Sequence, residues 1–187
     1  LRDGALLRRD AGADFLTMAD NPRAVARGDS VALASLVRAL TGVPVVPHLA
    51  CRDRNLLSIR SALTALDVAG IHEVLAVTGD PIRAEDKARV RSRAEFCAAD
   101  LARSISEWNA EGEGFSAPFR VSAALNVNAP NFDAELRRAA RKRSNGGVRF
   151  LTQPVLSAAA AANLAKAHRS LEAEIYGGIL PIVSYRN

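Results

Sequence analysis

Polar side chains follow five apolar segments of the chain, at the points where those segments end. They are Asp20, His48, Asp80, Asn126 and Gln153, and Asn128 lies two residues beyond Asn126. Carboxylate, imidazole and amide groups bind polar ligands by hydrogen bonds, and the Gln153 amide can donate and accept at once. Asp and Asn are also ordinary turn and helix-capping residues, so each position taken alone permits a turn interpretation. Five such residues together favour a ligand site.

The segment before Asp80 indicates how these side chains are positioned. Residues Glu73–Val77 lack the polar alternation of a half-exposed strand, and the segment stops at Gly79-Asp80-Pro81. This pattern is typical of a parallel sheet that is covered on both faces. Folds of this kind bind ligands beyond the carboxyl ends of their strands.

Strand and helix patterns alternate along the whole chain, and alternation of this kind predicts a parallel sheet. Glycine, the usual residue for ending a helix in the left-handed region, precedes several strands. The predicted strands lie within residues 11–18, 69–77 and 145–152 and at Val43–Leu49, Val121–Val127 and Ile175–Ile182. The predicted helices are Ser30–Leu40, Leu56–Ala69, Ala94–Trp108, Asp133–Arg143 and Ser157–Leu171, with apolar residues at helical spacing such as Leu56, Ile59, Leu63 and Leu66.

Six such units fit either an open doubly wound sheet or most of an eight-stranded barrel. An open sheet concentrates its polar site at one switch point, whereas a barrel distributes it over nearly all strand ends. Polar groups follow five strands here, and no Gly-x-Gly-x-x-Gly turn follows any strand. The predicted fold is therefore α/β, a (βα)8 TIM barrel.

Composition limits the other function classes. With 187 residues, 49% of them hydrophobic, the chain is expected to form one domain over residues 1–187. No apolar run could cross a bilayer, and Cys51 and Cys97 form no metal or disulfide pattern, which suits a reducing cytoplasm. The net charge of +5 is spread among acidic residues and aromatic residues make up only 5%, so an anionic cofactor or substrate explains the charge better than nucleic acid does. Because the chain begins at Leu1 and stops after a strand-like segment, we expect a fragment of a longer protein.

Four separated motifs carry a resemblance to a known family. They are Pro47–Asn55, Val77–Pro81, Leu151–Pro154 and Gly178–Ile182, with Asp20-Asn21-Pro22 before them. In this order they resemble the methylenetetrahydrofolate reductase family, particularly the bacterial branch that includes reductase domains fused to homocysteine methyltransferases. The resemblance implies an eight-stranded barrel of which this chain covers strands two to seven. The glutamate that the family carries on its first strand has no counterpart here.

The resemblance also implies roles for individual residues. Catalytic and substrate-binding roles fall on Asp80 and Gln153, and no metal is expected. Cofactor-binding roles fall on His48, Ala50, Gly79, Asp80, Asn126, Glu135 and Lys142. Glu135 and Lys142 are two helical turns apart, so they share one helix face.

The residues themselves leave alternatives to these roles. His48 could be a packed, hydrogen-bonded histidine, and Ala50 and Gly79 could reflect tight packing. Lys142 lies in the basic run Arg137–Arg143, which by itself indicates a solvated face. An Arg52–Asp53 ion pair is a more probable use of Arg52 than phosphate binding.

The function implied is reduction of 5,10-methylenetetrahydrofolate to 5-methyltetrahydrofolate by NAD(P)H through bound FAD. Departures from the family pattern are Thr78 in place of Arg, Ala19 in place of Thr, and Leu125-Asn126-Val127 in place of a Tyr-Pro-Glu-type run. They keep two alternatives open: direct hydride transfer from NADH to the folate without flavin, and a non-catalytic subunit that binds folate or flavin within a methyl-transfer complex. The expected partners are the folate and the nicotinamide dinucleotide, with a homo-oligomer or a fused methyltransferase domain as further possibilities. Nucleic acid and membrane are not expected partners.

Overall fold

The computed structural model of the protein describes residues 1–90, 96–112 and 114–181. Six strands form one sheet in which each strand pairs in parallel with the next strand along the chain. The strands are β1 Leu16–Met18, β2 Val45–Ala50, β3 Glu73–Val77, β4 Arg120–Leu125, β5 Gly147–Pro154 and β6 Glu174–Gly178. The helices are α1 Arg2–Asp10, α2 Ser30–Thr41, α3 Leu56–Val68, α4 Ala98–Glu111, α5 Phe132–Ser144 and α6 Ala158–Ser170.

The sheet curls so that its first and last strands approach each other at their amino ends. Phe15, just before β1, and Tyr176 in β6 stand edge to face with ring centroids 5.5 Å apart. The Arg149 guanidinium lies 5.2 Å from the Phe15 centroid and 5.0 Å from the Tyr176 centroid, and it also pairs with Glu73 and Glu174. We call this group the amino-end stack. Six parallel strands in chain order with this curl form a partial βα barrel, consistent with strands two to seven of the eight-stranded fold, which confirms the predicted fold class.

Helix α3 shows why the helices pack on the outer face of the sheet. Its residues Ile59, Leu63 and Leu66 are fully buried and join the same apolar cluster as Leu49 of β2 and Val74 of β3. Leu56, predicted on the same face, is 42% exposed because it is the first residue of the helix. A second cluster, which includes Leu125 and Phe150, packs α5 and α6 against β4 to β6.

Most predicted elements are present, with ends shifted by a few residues. Helix α1 was not predicted, because its sequence is mostly polar and only Ala5 is buried. Two predicted element ends lie outside the described residues. They are Ala94, the first residue of the predicted helix Ala94–Trp108, and Ile182, the last residue of the predicted strand Ile175–Ile182. Gly12, Gly70 and Gly146 all have positive φ, as the helix-ending pattern predicts. No helix in the described ranges has the length and apolar character needed to span a membrane.

Candidate active site

The carboxyl ends of the strands surround a cavity of about 450 Å³. All five polar strand-end residues, Asp20, His48, Asp80, Asn126 and Gln153, line it. Glu135 and Lys142 of α5, Gly79, Thr78 and Pro22 line it as well. The expectation that the five polar strand-end residues lie at the same end of the barrel is therefore confirmed.

Two larger cavities lie elsewhere on the molecule. One, of about 550 Å³, is at the amino ends of the strands beside Arg120 and Arg149, and the other, of about 670 Å³, runs between α1 and β1. Size alone would favour them, but Arg149 is already paired with Glu73 and Glu174. Of these three cavities, the carboxyl-end one collects the polar groups of five strand ends, and we take it as the candidate active site.

Asp80 presents an exposed carboxylate at the rim of this cavity. Its Oδ2 accepts a hydrogen bond of 2.5 Å from the main-chain N–H of Arg23, in the loop after β1. Its main-chain carbonyl accepts a hydrogen bond of 2.7 Å from Nη1 of Arg52. Arg52 is itself ion-paired with Asp53, as the sequence analysis favoured, so it holds the loop and is not available as a phosphate ligand in this arrangement.

Gly79 is required by the close approach of Arg52. Its φ is +92°, and a Cβ at this position would lie 2.8 Å from the Cβ of Arg52. Side-chain atoms at that separation cannot coexist without a shift of the backbone. The tight-packing interpretation of Gly79 therefore holds on the Arg52 side, while the residue still lines the cavity on the other side.

We predict that Gly79→Ala lowers the free energy of unfolding by roughly 2 kcal/mol, from the positive φ and the clash together. Gly42→Ala is the matched control, because Gly42 also has a positive φ but open space where its Cβ would lie. We expect the control to lose about 1 kcal/mol. Urea unfolding of both variants measures the difference. Equal losses in the free energy of unfolding would show that the Arg52 side chain moves away from the added methyl group without an energetic penalty.

Asp20 lines the cavity, but its carboxylate is hydrogen-bonded to other groups of the protein. Its Oδ2 accepts hydrogen bonds from the main-chain N–H of Ala50 at 3.0 Å and from Nε of Arg54 at 3.3 Å. Arg54 also pairs with Asp29, which caps α2. Asp20 thus joins the end of β1 to the end of β2. Ala50 is fully buried, donates this N–H to Asp20 and does not line the cavity, so its predicted cofactor contact has no geometric support.

His48 is a neutral imidazole in the wall of the cavity. Burial lowers the pKa of His48 to about 4, and the charge of Asp20 opposes this shift only in part. Its ring nitrogens have no hydrogen-bond partner within the described part of the chain, and its main-chain carbonyl accepts from Ser30. The ring can therefore offer one donor and one acceptor to a ligand.

The depressed pKa predicts a stability change with pH. Between pH 6.5 and about 4 the unfolded chain binds a proton at His48 that the folded chain does not, so stability falls as the pH is lowered through this range. We expect this residue to contribute a loss of roughly 2 kcal/mol between pH 7.5 and pH 5. Urea unfolding at both pH values, with His48→Asn as comparison, isolates the effect. A pH dependence that is unchanged in the variant would contradict it.

Helix α5 contributes a half-buried lysine, Lys142, to the cavity. The Lys142 ammonium donates a hydrogen bond of 2.7 Å to the carbonyl of Ala124 in β4, and burial lowers its pKa below the ordinary value. Within the described residues it has no carboxylate at ion-pair distance and makes no second hydrogen bond. Two of its three N–H donors remain for a ligand. The charge pattern alone would place Lys142 on a solvated face. The structure instead turns its side chain to β4 and the cavity.

Glu135 is occupied by protein groups. One carboxylate oxygen accepts the main-chain N–H of Asn126 at 3.1 Å, and the other accepts two bonds from the Arg138 guanidinium. The Asn126 side-chain oxygen in turn accepts the N–H of Asn128, so part of its role is that of a turn residue. Gln153 is exposed at the end of β5, and its side-chain amide has no hydrogen-bond partner in the described ranges.

The chain resembles known proteins in sequence and in fold. Residues 4–187 match the family model described as methylenetetrahydrofolate reductase. The chain belongs to the methylenetetrahydrofolate reductase family. This places it among the oxidoreductases of folate-dependent one-carbon metabolism. A comparison with curated protein sequences gave no match.

Solved structures similar to this methylenetetrahydrofolate reductase family member support the fold alone, since their sequences are distant. A Burkholderia cenocepacia J2315 protein described as a lyase/mutase has a TM-score of 0.64 at 17% identity, with 96% of this chain and 67% of that one covered. Oxaloacetate acetylhydrolase, with 3,3-difluorooxalacetate bound, has a TM-score of 0.63 at 13% identity, with 96% and 66% covered. The tryptophan synthase complex of Pyrococcus furiosus has a TM-score of 0.59 at 14% identity, with 95% and 72% covered. The chain spans about two thirds of the length of the first two.

All three positions that the sequence analysis names as departures from the family pattern have residues in the cavity wall, Leu125 and Asn126 among them. The Oγ1 of Thr78 accepts the N–H of Ala98 at the start of α4, at 3.4 Å. Ala19 lines the cavity without a polar side chain.

The residue that sequence reasoning missed is Arg23, because it acts through its main-chain N–H and no side-chain pattern marks such a role. Within the described residues, no group of three His, Cys, Asp or Glu side chains could hold a metal ion.

Proposed function

We propose that the protein reduces 5,10-methylenetetrahydrofolate to 5-methyltetrahydrofolate with NAD(P)H through bound FAD. The observation that carries the proposal is that a single cavity combines a half-buried ammonium, which has no carboxylate at ion-pair distance among the described residues, with exposed hydrogen-bonding groups at its rim. The ammonium of Lys142 suits an anionic cofactor, and Asp80 and Gln153 suit the polar edge of a pterin. Membership of the methylenetetrahydrofolate reductase family supports this pairing.

Asp80 and Gln153 would bind the folate. A carboxylate accepts hydrogen bonds only, so Asp80 would hold the amino and ring N–H groups of the pterin. The Gln153 amide both donates and accepts, which suits either the pterin edge or the carboxamide of a nicotinamide. Their role is to fix the orientation of the reacting ring, since misplacement of a substrate by about 1 Å can cost on the order of a hundredfold in rate.

The residues present fit a phosphate-bearing cofactor. Lys142 would donate to an anionic oxygen, since a charge held away from water gains most from an opposite charge. His48 would contact the cofactor as a neutral donor or acceptor, and Asn126 would use its amide NH2 group. A flavin bound there supplies a two-electron carrier between nicotinamide and folate. Glu135 would act by holding the main chain of Asn126.

A second candidate is the flavin-free reaction, with hydride passing directly from NADH to the folate. The observation in its favour is the wall formed by Thr78 and Ala19. The Thr78 hydroxyl accepts a hydrogen bond within the protein and Ala19 has no polar group, so these two positions would not supply the flavin contacts that the resemblance implies. The Lys142 ammonium would then bind a phosphate of the dinucleotide.

The visible absorption spectrum of the purified full-length protein, followed by NAD(P)H oxidation with 5,10-methylenetetrahydrofolate, tests both candidates. Visible flavin absorbance with folate-dependent turnover is expected for the first. A colourless protein that still oxidises NADH with the folate would support the second. Absence of turnover with added flavin would contradict both and leave the non-catalytic binding subunit.

A further inference from the structure

We propose that the main-chain N–H of Arg23 is a positioning group for Asp80, so that the loop between β1 and α2 sets how this carboxylate meets a ligand. The identity of the ligand rests on the proposed function. The contact itself does not, since it joins two groups of the chain.

The hydrogen bond has the form expected of a positioning contact. It is 2.5 Å long and joins an N–H to a carboxylate, the kind of bond that is shorter and stronger than a neutral one. It is the sole hydrogen bond to the Asp80 carboxylate from residues that the structure describes, and it uses Oδ2. No donor from the described residues contacts Oδ1, which can meet a ligand in the cavity that Asp80 lines.

The loop adopts an unusual backbone to deliver this N–H. Asn21, Arg23 and Ala24 have φ values of 43°, 57° and 55°, in the left-handed region that non-glycine residues rarely adopt. Each such residue costs on the order of 1 kcal/mol or more, and strained backbone of this kind persists where the surroundings fix it and clusters at functional sites.

Both sides of the contact are anchored to the segment at the end of β2. On the Arg23 side, Asp20 accepts a hydrogen bond of 3.0 Å from the main-chain N–H of Ala50. On the Asp80 side, Arg52 donates a hydrogen bond of 2.7 Å to the main-chain carbonyl of Asp80. The loops after β1 and β3 are therefore both tied to the end of β2, and the Arg23–Asp80 hydrogen bond closes one polar circuit.

This circuit explains how an exposed carboxylate can be ordered before a ligand binds. A free Asp side chain at the rim would sample several rotamers, and immobilising a side chain on binding costs roughly 0.5–1.5 kcal/mol. Fixing Asp80 in advance removes part of that cost. Pro22, next to Arg23, lines the cavity too, so the loop and the carboxylate face the same ligand space.

A comparison of Arg23→Pro with Arg23→Ala tests the role of the N–H. Both changes remove the guanidinium, but proline also removes the N–H and fixes φ near −65°, far from the φ of 57° seen here. With 5-methyltetrahydrofolate as probe, we expect Arg23→Pro to bind about tenfold more weakly than Arg23→Ala, with equal NAD(P)H oxidation in an artificial-acceptor assay. In the Asp80→Ala background, which lacks the acceptor, the difference between the two should shrink to within about twofold.

Hydrogen exchange of the ligand-free protein provides a readout that does not depend on folate. In Asp80→Ala, amides within residues 21–27 should exchange faster than in the parent, with exchange in α6 unchanged. Equal exchange in parent and variant would overturn the proposal, as would equal binding by the two Arg23 variants or a proline effect that persists beside Asp80→Ala. Absence of probe binding to the parent would instead refute the proposed function, and the exchange result would still decide the role of Arg23.

Discussion

Asp80→Asn is expected to reduce the rate of methylenetetrahydrofolate reduction by at least about tenfold, roughly 1.4 kcal/mol in the barrier, while NAD(P)H oxidation with an artificial acceptor survives. The substitution keeps the size of the side chain and removes its charge. Asn has one acceptor oxygen, which the Arg23 N–H can occupy, and its NH2 group would face the N–H donors of the pterin. Loss of the nearby negative charge should also make a bound flavin easier to reduce.

Asp86→Asn is the matched control for this prediction. Asp86 lies in the same segment between β3 and α4, is paired with Arg83 and does not line the cavity. It loses the same charge, so a general electrostatic effect would appear in both variants. Stopped-flow measurement of the two half-reactions separates the outcomes. An equal loss in both half-reactions of Asp80→Asn, or no loss in either, would remove Asp80 from the folate site.

Lys142→Ala is expected to weaken retention of the anionic cofactor by roughly ten- to a hundredfold, because it removes a charged hydrogen bond worth on the order of 1.5–3 kcal/mol. Folate affinity should stay nearly unchanged. Burial lowers the pKa of Lys142, which means that the fold disfavours its charge. Stability is therefore expected to fall little, since the loss of the bond to Ala124 is offset by removal of a half-buried charge.

Arg137→Ala is the comparison for Lys142→Ala. It removes one positive charge from the same helix at an exposed position that does not line the cavity. Equilibrium dialysis against FAD, and against NADH for the flavin-free reaction, measures retention in both variants. If Lys142→Ala retains both cofactors as tightly as Arg137→Ala does, the ammonium serves only the carbonyl of Ala124.

The arrangement of the strand-end residues could be predicted from the sequence because it depends on order along the chain. Strict alternation of strand and helix requires parallel strands, and parallel strands bring their carboxyl ends to one side. This is why Asp80 and Gln153, far apart in sequence, line one cavity. The direction in which each side chain points was not predictable, and Asp20 turns to Ala50 and Arg54 instead of presenting a free carboxylate.

Two features of the site depend on details that a charge or turn pattern does not contain. Lys142 lies on the side of α5 that faces β4, whereas Arg137 in the same basic run is exposed. The family resemblance identified Lys142 as a cofactor-binding residue, and composition alone could not distinguish it from the other basic residues. No sequence pattern predicts the left-handed backbone at Arg23, because arginine is not a residue that favours positive φ.

The amino-end stack has a consequence for how the chain reaches its native state. Phe15 and Tyr176 come from opposite ends of the sequence, so their contact is of very high contact order. Closing so long a loop is entropically unfavourable until the strands between have paired, and β1 to β5 are synthesised before Tyr176. We therefore place the stack late on the folding pathway, after the transition state. Interactions formed that late slow unfolding without speeding folding. The aromatic and guanidinium groups at the base of the barrel would thus act on the lifetime of the folded protein, while the rate of its formation is set by neighbouring strands.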